Sequence, residues 1–268
     1  KWDSAIKSWR NLKSDPNSVF DKEISFNANE IEPMITYGTN PGMAIPISKE
    51  IPYFNDSGSK SSFSKSLEYM NFKEGEVMLG KKIDYVFHLA GIKGSPEMAK
   101  KKPYQFMTPM LMFNANMLEA SRINKVKRFL YTSSIGVYNP KKIMKEDDVW
   151  KTFPSRNDWY AGWTKRIGEL NVQACQLFTK KMITIIVRPA NVFGPYDNFD
   201  TKSAMVIPSL INKFINSRTG AVEVWGDGSN IRDFIYSEDV ARGMIHMVEN
   251  EVTEPVNLAS GTGVTIKD

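Results

Sequence analysis

Lys165 follows Tyr160 within the stretch Trp159-Tyr160-Ala161-Gly162-Trp163-Thr164-Lys165. A phenol beside an ammonium is chemically useful, because the cation stabilises the phenolate and brings it toward the range of a working base. Spacing decides whether the two meet. At about 100° per residue, a four-residue step leaves two side chains about 40° apart around a helix, and a five-residue step about 140° apart. Tyr160 lies five residues before Lys165, and the residue four before it is Ala161. On an undistorted helix, therefore, Tyr160 and Lys165 do not share a face. Tyr160 reaches the lysine only if the helix starts near Gly162 with an irregular first turn, which the preceding Asn157-Asp158 turn chemistry permits. Otherwise the phenol and the ammonium stand apart.

Other reactive positions stand further apart. Tyr131-Thr132-Ser133-Ser134 ends an apolar run in hydroxyls, and serine at such a place is usually a turn former. Arg232 carries a planar fork suited to a carboxylate or a diphosphate, with Asp233 and Asp239 as its ordinary surface partners. Cys175 is the single cysteine, which excludes an internal disulfide and a thiolate-based structural metal site. A loop that cradles a dinucleotide pyrophosphate needs glycines spaced as G-x-G-x-x-G or G-x-x-G-x-x-G at a helix start. Neither spacing occurs. The nearest string, Gly38-Thr39-Asn40-Pro41-Gly42, runs into Met-Ala-Ile-Pro rather than an amphipathic helix.

The elements that position these residues differ along the chain. Up to Gly80 the sequence is poorly regular and rich in turn formers, such as Asp15-Pro16-Asn17 and the polar run 55–62. Helices are expected only at Ser4 to Leu12 and Phe63 to Met70, with an imperfect strand from Val19 to Phe26 through Phe20, Ile24 and Phe26. From Ile83 the pattern becomes regular. Strands are expected at 84–90, 128–133 and 183–187, helices at Pro103 to Arg122 and Gly162 to Thr179, and a Gly/Pro-rich turn at Asn191 to Tyr196. Strands separated by helices of this length imply a parallel, doubly wound α/β sheet whose ligands lie beyond the carboxyl ends of its strands.

Composition narrows the class without naming a function. With 41% hydrophobic and 24% charged residues the chain reads as globular, and its longest apolar runs, such as Ile183 to Val187, are too short to span a bilayer. The start, Lys1-Trp2-Asp3-Ser4, reads as internal rather than as a signal peptide. One cysteine fits a reducing cytoplasm. A net charge of +5, from 35 basic and 30 acidic residues, is spread out apart from short groups at 100–102 and 141–145. Solvated loops and helix ends explain such groups, so neither nucleic-acid nor membrane binding is expected.

Five segments after Ile83 carry a family resemblance. They are Asp84-Tyr85-Val86-Phe87-His88-Leu89-Ala90-Gly91, Tyr131 to Tyr138, Trp159 to Glu169, Val187-Arg188-Pro189-Ala190-Asn191-Val192-Phe193-Gly194-Pro195, and Trp225 to Ala241 with Arg232 inside it. In this order and spacing, residues 83–268 resemble the extended short-chain dehydrogenase/reductases of the sugar-nucleotide epimerase/dehydratase type. The resemblance implies an incomplete Rossmann-like sheet with a small C-terminal substrate-binding portion. It also implies Ser134, Tyr160 and Lys165 as catalytic residues, with NAD or NADP lying against Leu89, Ala90, Gly91, Ser133, Lys165 and Pro189. Asn191 and Arg232 would then face the diphosphate of a nucleotide-sugar substrate, and helices 103–122 and 162–179 would pair in a homodimer. Ala161 departs from the family's Tyr-x-x-x-Lys, so that, unless Tyr160 reaches the site, Ser134, water or another carboxylate is left to move protons. The glycine-rich unit that begins a complete member is missing as well, so nicotinamide binding is expected to be weak. His88 is expected to be a packed strand residue rather than a base.

The front is similar to something else. Phe20-Asp21-Lys22-Glu23, residues 31–43 and residues 65–87 resemble one continuous stretch of the isopropylmalate dehydratase large subunit, an aconitase relative. That family's stretch leads into the first thiolate ligand of a [4Fe-4S] cluster, whereas here it meets His88-Leu89-Ala90-Gly91. A cubane cluster needs several thiolates, and Cys175, expected to be helix packing, stands alone. The sequence therefore divides into a dehydratase-like fragment, 1–82, and a partial epimerase/dehydratase domain, 83–268, joined where both families place an apolar strand. It reads as a chimera that is an enzyme by descent. The alternatives are a dehydratase fragment of leucine biosynthesis and an inactive remnant that binds a nucleotide sugar or only dimerises.

Overall fold

The computed structural model describes residues 18–19, 21–22, 24–25, 27–38, 42–54, 60–92, 101–200, 203–224 and 226–267. The expected helix at Ser4 to Leu12 lies outside them, as do Phe20 and Phe26 of the expected strand; Val19 and Ile24 are exposed, and no strand includes them. The chain forms two compact units, residues 1–81 and 82–268.

In the front unit, strand β1 (Met34–Thr36) pairs antiparallel with β2 (Ala44–Pro46). Helix α1 (Lys60–Met70) follows, three residues longer at its start than expected. A small core gathers Tyr37, Ile51, Phe63 and Leu67, with Phe54 stacked on Phe63 at 4.8 Å between ring centroids. Gly38 is needed here for packing: a β-carbon on it would stand 2.2 Å from the Met43 sulfur. The glycine of that string thus makes room for a methionine.

The second unit is built on a four-stranded parallel sheet in the order β3-β4-β5-β8. These are β3 (Tyr85–His88), β4 (Arg128–Thr132), β5 (Ile183–Pro189) and β8 (Val256–Leu258). The connections carry α2 (Pro103–Ile123), α3 (Trp159–Phe178), α4 (Val206–Asn216) and α5 (Ser237–Glu249). Alternation along β4 and β5 feeds two cores. Leu130, Ile185 and Val187 pack beneath Val240, Met244, Met247 and Val248 of α5. Phe129, Tyr131 and Ile186 turn the other way and meet Leu118 of α2 and Val172 of α3, with Cys175 against that cluster as helix packing. Burying side chains of this size contributes roughly 1.5–3 kcal/mol each. The sheet with helices on both faces is the doubly wound architecture that its strand–helix alternation implies.

Two details depart from expectation. Asn191–Phe193, expected as part of a turn, is strand β6; it pairs parallel with β7 (Ile231–Tyr236), which pairs antiparallel with β9 (Gly263–Thr265) in a separate three-stranded sheet. Helix α3 begins at Trp159 rather than Gly162, because Gly162 N–H already donates to Asp158 C=O at 2.6 Å and the Thr164 hydroxyl to Tyr160 C=O at 2.6 Å. Among the described residues no helix is long and apolar enough to cross a membrane.

Candidate active site

The register of β3, β4 and β5 aligns their carboxyl ends, with His88 opposite Tyr131 and Thr132 opposite Val187. Residues 89–91, 133–134 and 190 therefore emerge along one edge of the sheet, where ligands of parallel sheets are held. Leu89, Ala90 and Gly91 are exposed there, while Pro189 is buried at the end of β5.

Helix α3 lies close over this edge. A β-carbon on Gly162 would stand 2.7 Å from Gly136 C=O, so only glycine lets the helix approach the short turn Ile135–Val137 that follows Ser134. Ser134 caps that turn, its hydroxyl accepting from Gly136 N–H at 3.1 Å. One turn into the helix, Lys165 donates its ammonium to Thr132 C=O at 2.7 Å, and a β-carbon on Gly91 would lie 3.9 Å from its Nζ. The structure thus brings Gly91, the end of β4 and Lys165 together. It does not bring Tyr160 to Lys165 by the irregular turn, since α3 runs as a helix from Trp159 and keeps the five-residue spacing; Tyr160 is 42% exposed.

Several other positions are committed to holding the fold. The Ser133 hydroxyl donates to Glu169, and its N–H to Val187 C=O at 2.7 Å, which leaves its carbonyl as the group able to face a ligand. Asn191 sits in a strand and donates from Nδ2 to Asp233 C=O at 2.9 Å, so its amide braces β7 and does not stand in a loop. Arg232 is exposed on β7 and donates to its neighbour Ile231 C=O at 2.9 Å. Asp233 is occupied with Ser260 and Gly261, and Asp239 with Arg242.

Behind the edge lies a buried polar network that the motifs contain but do not explain. Arg188, 1% exposed, holds Glu169, 0% exposed, with two hydrogen bonds of 2.9 and 2.7 Å. Its other amino group donates to the Tyr138 hydroxyl at 2.6 Å, which donates in turn to Asn257 at 2.7 Å. Burial works against the Arg188 charge, but the bonds to Glu169 outweigh it and hold the guanidinium above its ordinary pKa. A second string joins His88 Nε2 to Asn114 Oδ1 at 2.7 Å, and Asn114 Nδ2 to the Tyr131 hydroxyl at 3.1 Å. His88 is packed, as expected, and burial pushes its pKa down. A charged residue inside the apolar run Ile183–Pro189 was the available sign of the first network. Asn114 falls in the buried i, i+4 series Phe106, Met110, Asn114, Leu118 of α2, where an amide among apolar residues was the corresponding sign.

The fit of a nicotinamide dinucleotide is divided. An ammonium anchored between β3 and β4, beside a glycine, suits the hydroxyls of a nicotinamide ribose. Nothing among the described residues suits the pyrophosphate: β3 is an edge strand, and no glycine-turned helix start stands beside it.

Residues 65–259 match the model of the NAD dependent epimerase/dehydratase family, and residues 1–92 that of the Aconitase family (aconitate hydratase), the two overlapping around β3. The 3-isopropylmalate dehydratase large subunit of Phocaeicola vulgatus is 59% identical over 86 residues, covering 32% of this chain and 18% of that protein. The GDP-L-fucose synthase of Sinorhizobium fredii is 31% identical over 175 residues, covering 61% of this chain and 54% of that one. Among solved structures, the UDP-N-acetylglucosamine 4-epimerase from Methanobrevibacter ruminantium M1, in complex with UDP-N-acetylmuramic acid, superposes with a TM-score of 0.61 at 27% identity, covering 69% of this chain and 57% of that one. The chain therefore spans about a fifth of the dehydratase subunit and little more than half of the nucleotide-sugar enzymes. With nearly three quarters of its length inside the match, from the end of the front unit through β8, the chain belongs to the NAD dependent epimerase/dehydratase family.

Proposed function

We propose that residues 83–268 are the substrate half of an NAD(P)-dependent nucleotide-sugar epimerase, dehydratase or reductase, and that turnover by this particular chain is impaired. The observation that carries both parts is the Lys165 ammonium, anchored to Thr132 C=O beside Gly91 with Ala161 one helical turn before it. In this reading Ser134 gives or takes a hydrogen bond at the sugar oxygen whose protonation changes. Lys165 holds the ribose of a nicotinamide lying against Leu89, Ala90, Gly91, Pro189 and the carbonyl of Ser133. Tyr160 is left as a phenol outside bonding reach of the lysine on its own helix. Arg232 meets the diphosphate from the exposed face of β7, with Asn191 holding that strand in place. A cytoplasmic homodimer pairing through α2 and α3 completes the proposal.

Calorimetric titration of the full chain with GDP- and UDP-sugars and with NAD and NADP tests it. Saturable nucleotide-sugar binding with weak or no nicotinamide binding is expected. Tight NAD or NADP binding overturns the impairment, and silence toward every nucleotide sugar overturns the substrate class.

The 59% likeness of the front segment favours a second reading, a fragment of isopropylmalate dehydratase. Its chemistry needs a cluster held by thiolates, and the chain has one cysteine. Visible cluster absorbance after anaerobic reconstitution with iron and sulfide would favour it. A fused gene accounts for both likenesses, and an uninterrupted dehydratase frame in the native transcript across codons 75 to 95 would show the join to be false.

A further inference from the structure

Tyr131 is 1% exposed on β4, and it touches Lys165 in two ways. The ammonium stands 5.3 Å from the centre of its ring, and its hydroxyl lies 3.5 Å from the Lys165 carbonyl. The phenol is locked from behind: Asn114 Nδ2 donates to its oxygen at 3.1 Å, and Asn114 Oδ1 accepts from His88 Nε2–H at 2.7 Å. Space is reserved for it as well, since a β-carbon on Gly168 would stand 2.0 Å from that oxygen. Every donor in the string His88, Asn114, Tyr131, Lys165 points the same way, so the hydroxyl hydrogen is directed at the Lys165 carbonyl rather than at Asn114.

We infer that Asn114 is a positioning residue for Lys165, acting through Tyr131 to hold the ring against the ammonium and the hydroxyl against the backbone of its helix. Cation–ring contacts and directed hydrogen bonds gain weight where water is excluded, and this string is buried from His88 to Tyr131. Replacing Asn114 by an apolar residue frees the phenol to rotate and turns its hydrogen away from the carbonyl. Replacing it by aspartate has the same consequence by a different route. A carboxylate accepts from both His88 and Tyr131, so the tyrosine hydrogen leaves Lys165.

The inference rests on the place given to Lys165 in the proposed site, but its test needs no turnover. Trace acetylation of the full chain, read lysine by lysine by mass spectrometry across a range of pH, reports how available each ammonium is and where it titrates. One directed hydrogen bond is worth about 1 kcal/mol, so Tyr131→Phe, Asn114→Leu and Asn114→Asp are each expected to raise acetylation of Lys165 about fivefold. The pH midpoint of Lys165 should move, while Lys127 and Lys213 stay unchanged. The Tyr131→Phe/Asn114→Leu pair should give no more than Tyr131→Phe alone, because both remove one chain of contacts. Tyr131→Phe keeps the ring and the packing, so it remains informative if Asn114→Leu fails to fold. Unchanged acetylation of Lys165 in folded Tyr131→Phe overturns the inference, and so does a uniform rise at all lysines, which is a loosened fold. Failure of nucleotide-sugar binding leaves the acetylation contrast standing, so the two proposals fail separately.

Discussion

The two units of this chain divide likeness and chemistry in opposite ways. The front unit lies within a stretch 59% identical to a dehydratase subunit, yet the thiolates that give that protein family its cluster have no counterpart here. The second unit is matched at only 31% by a nucleotide-sugar enzyme, yet it sets a lysine and a serine turn at the ends of parallel strands and leaves an arginine exposed on β7. High identity over a run of turns and packing residues records descent. Chemistry depends on a few positions, and the dehydratase-like stretch, 18% of that subunit, stops before the first of them, whereas the longer match of the second unit contains its own. The interiors differ accordingly: the described core of the front unit is aromatic and aliphatic, whereas the second unit buries an ion pair and two hydrogen-bonded strings.

The sharpest break in that contrast is Glu169→Gln. It leaves Arg188 as a buried cation with hydrogen bonds but no counter-charge, and it weakens the partner of Ser133 at the ligand edge. Removing one member of a buried pair costs about 3–5 kcal/mol. The unfolding free energy from a urea titration followed by tryptophan fluorescence, with Trp2 and Trp9 replaced by phenylalanine so that the signal comes from the second unit, should fall by that amount. A change below about 1 kcal/mol, the size of a surface pair, would mean that water reaches the site and that the interiors differ less than drawn here.

The front unit offers the matching test. Phe63 touches Tyr37 edge-on at 6.0 Å and stacks on Phe54, so Phe63→Ala empties the centre of a core with few members. About 3 kcal/mol is expected, the low end for such a truncation, because half-buried neighbours such as Phe54 and Phe72 can close over the gap. Amide hydrogen exchange should speed up in α1 and at Tyr37 and Ile51. Exchange unchanged in those segments would mean that the front unit has no cooperative core.

Much of the second unit was legible because its periodicities are strong. Apolar runs gave β3, β4 and β5 to within a few residues, and the strand–helix alternation gave the parallel sheet. Boundaries were less visible. Trp159-Tyr160-Ala161 reads as a turn after Asn157-Asp158, but the Gly162 contact with Gly136 draws the helix start down onto the sheet edge, a tertiary constraint with no local sign. Asn191 looked like loop punctuation beside Gly194 and Pro195, and only pairing with β7, about forty residues away, makes it a strand. The site was legible as a set of types: Ser134 and Lys165 stand at the sheet edge. The second line behind them, Asn114, Tyr131 and Glu169, was hidden because its meaning lies in partners brought from other elements.

The smallest effect is a pH dependence, and it separates the units cleanly because both histidines, His88 and His246, belong to the second. Burial, opposed by the Asn114 hydrogen bond and assisted by the nearby Lys165 charge, sets the pKa of folded His88 below its ordinary 6.5. The unfolded chain then takes up the proton first. Stability is complete above pH 6.5 and falls as the pH drops from there toward the folded pKa, with a slope of at most about 1.4 kcal/mol per pH unit for one proton. His88→Gln keeps a donor for Asn114 but cannot titrate, so it should start somewhat less stable and stay level between pH 6.5 and 5, above the range of ordinary carboxylates. Urea midpoints of the two proteins across that window are the measurement. Parallel lines would show that His88 protonates as readily folded as unfolded, and the string from His88 through Asn114 to Tyr131 would then be open to water rather than sealed behind the sheet edge.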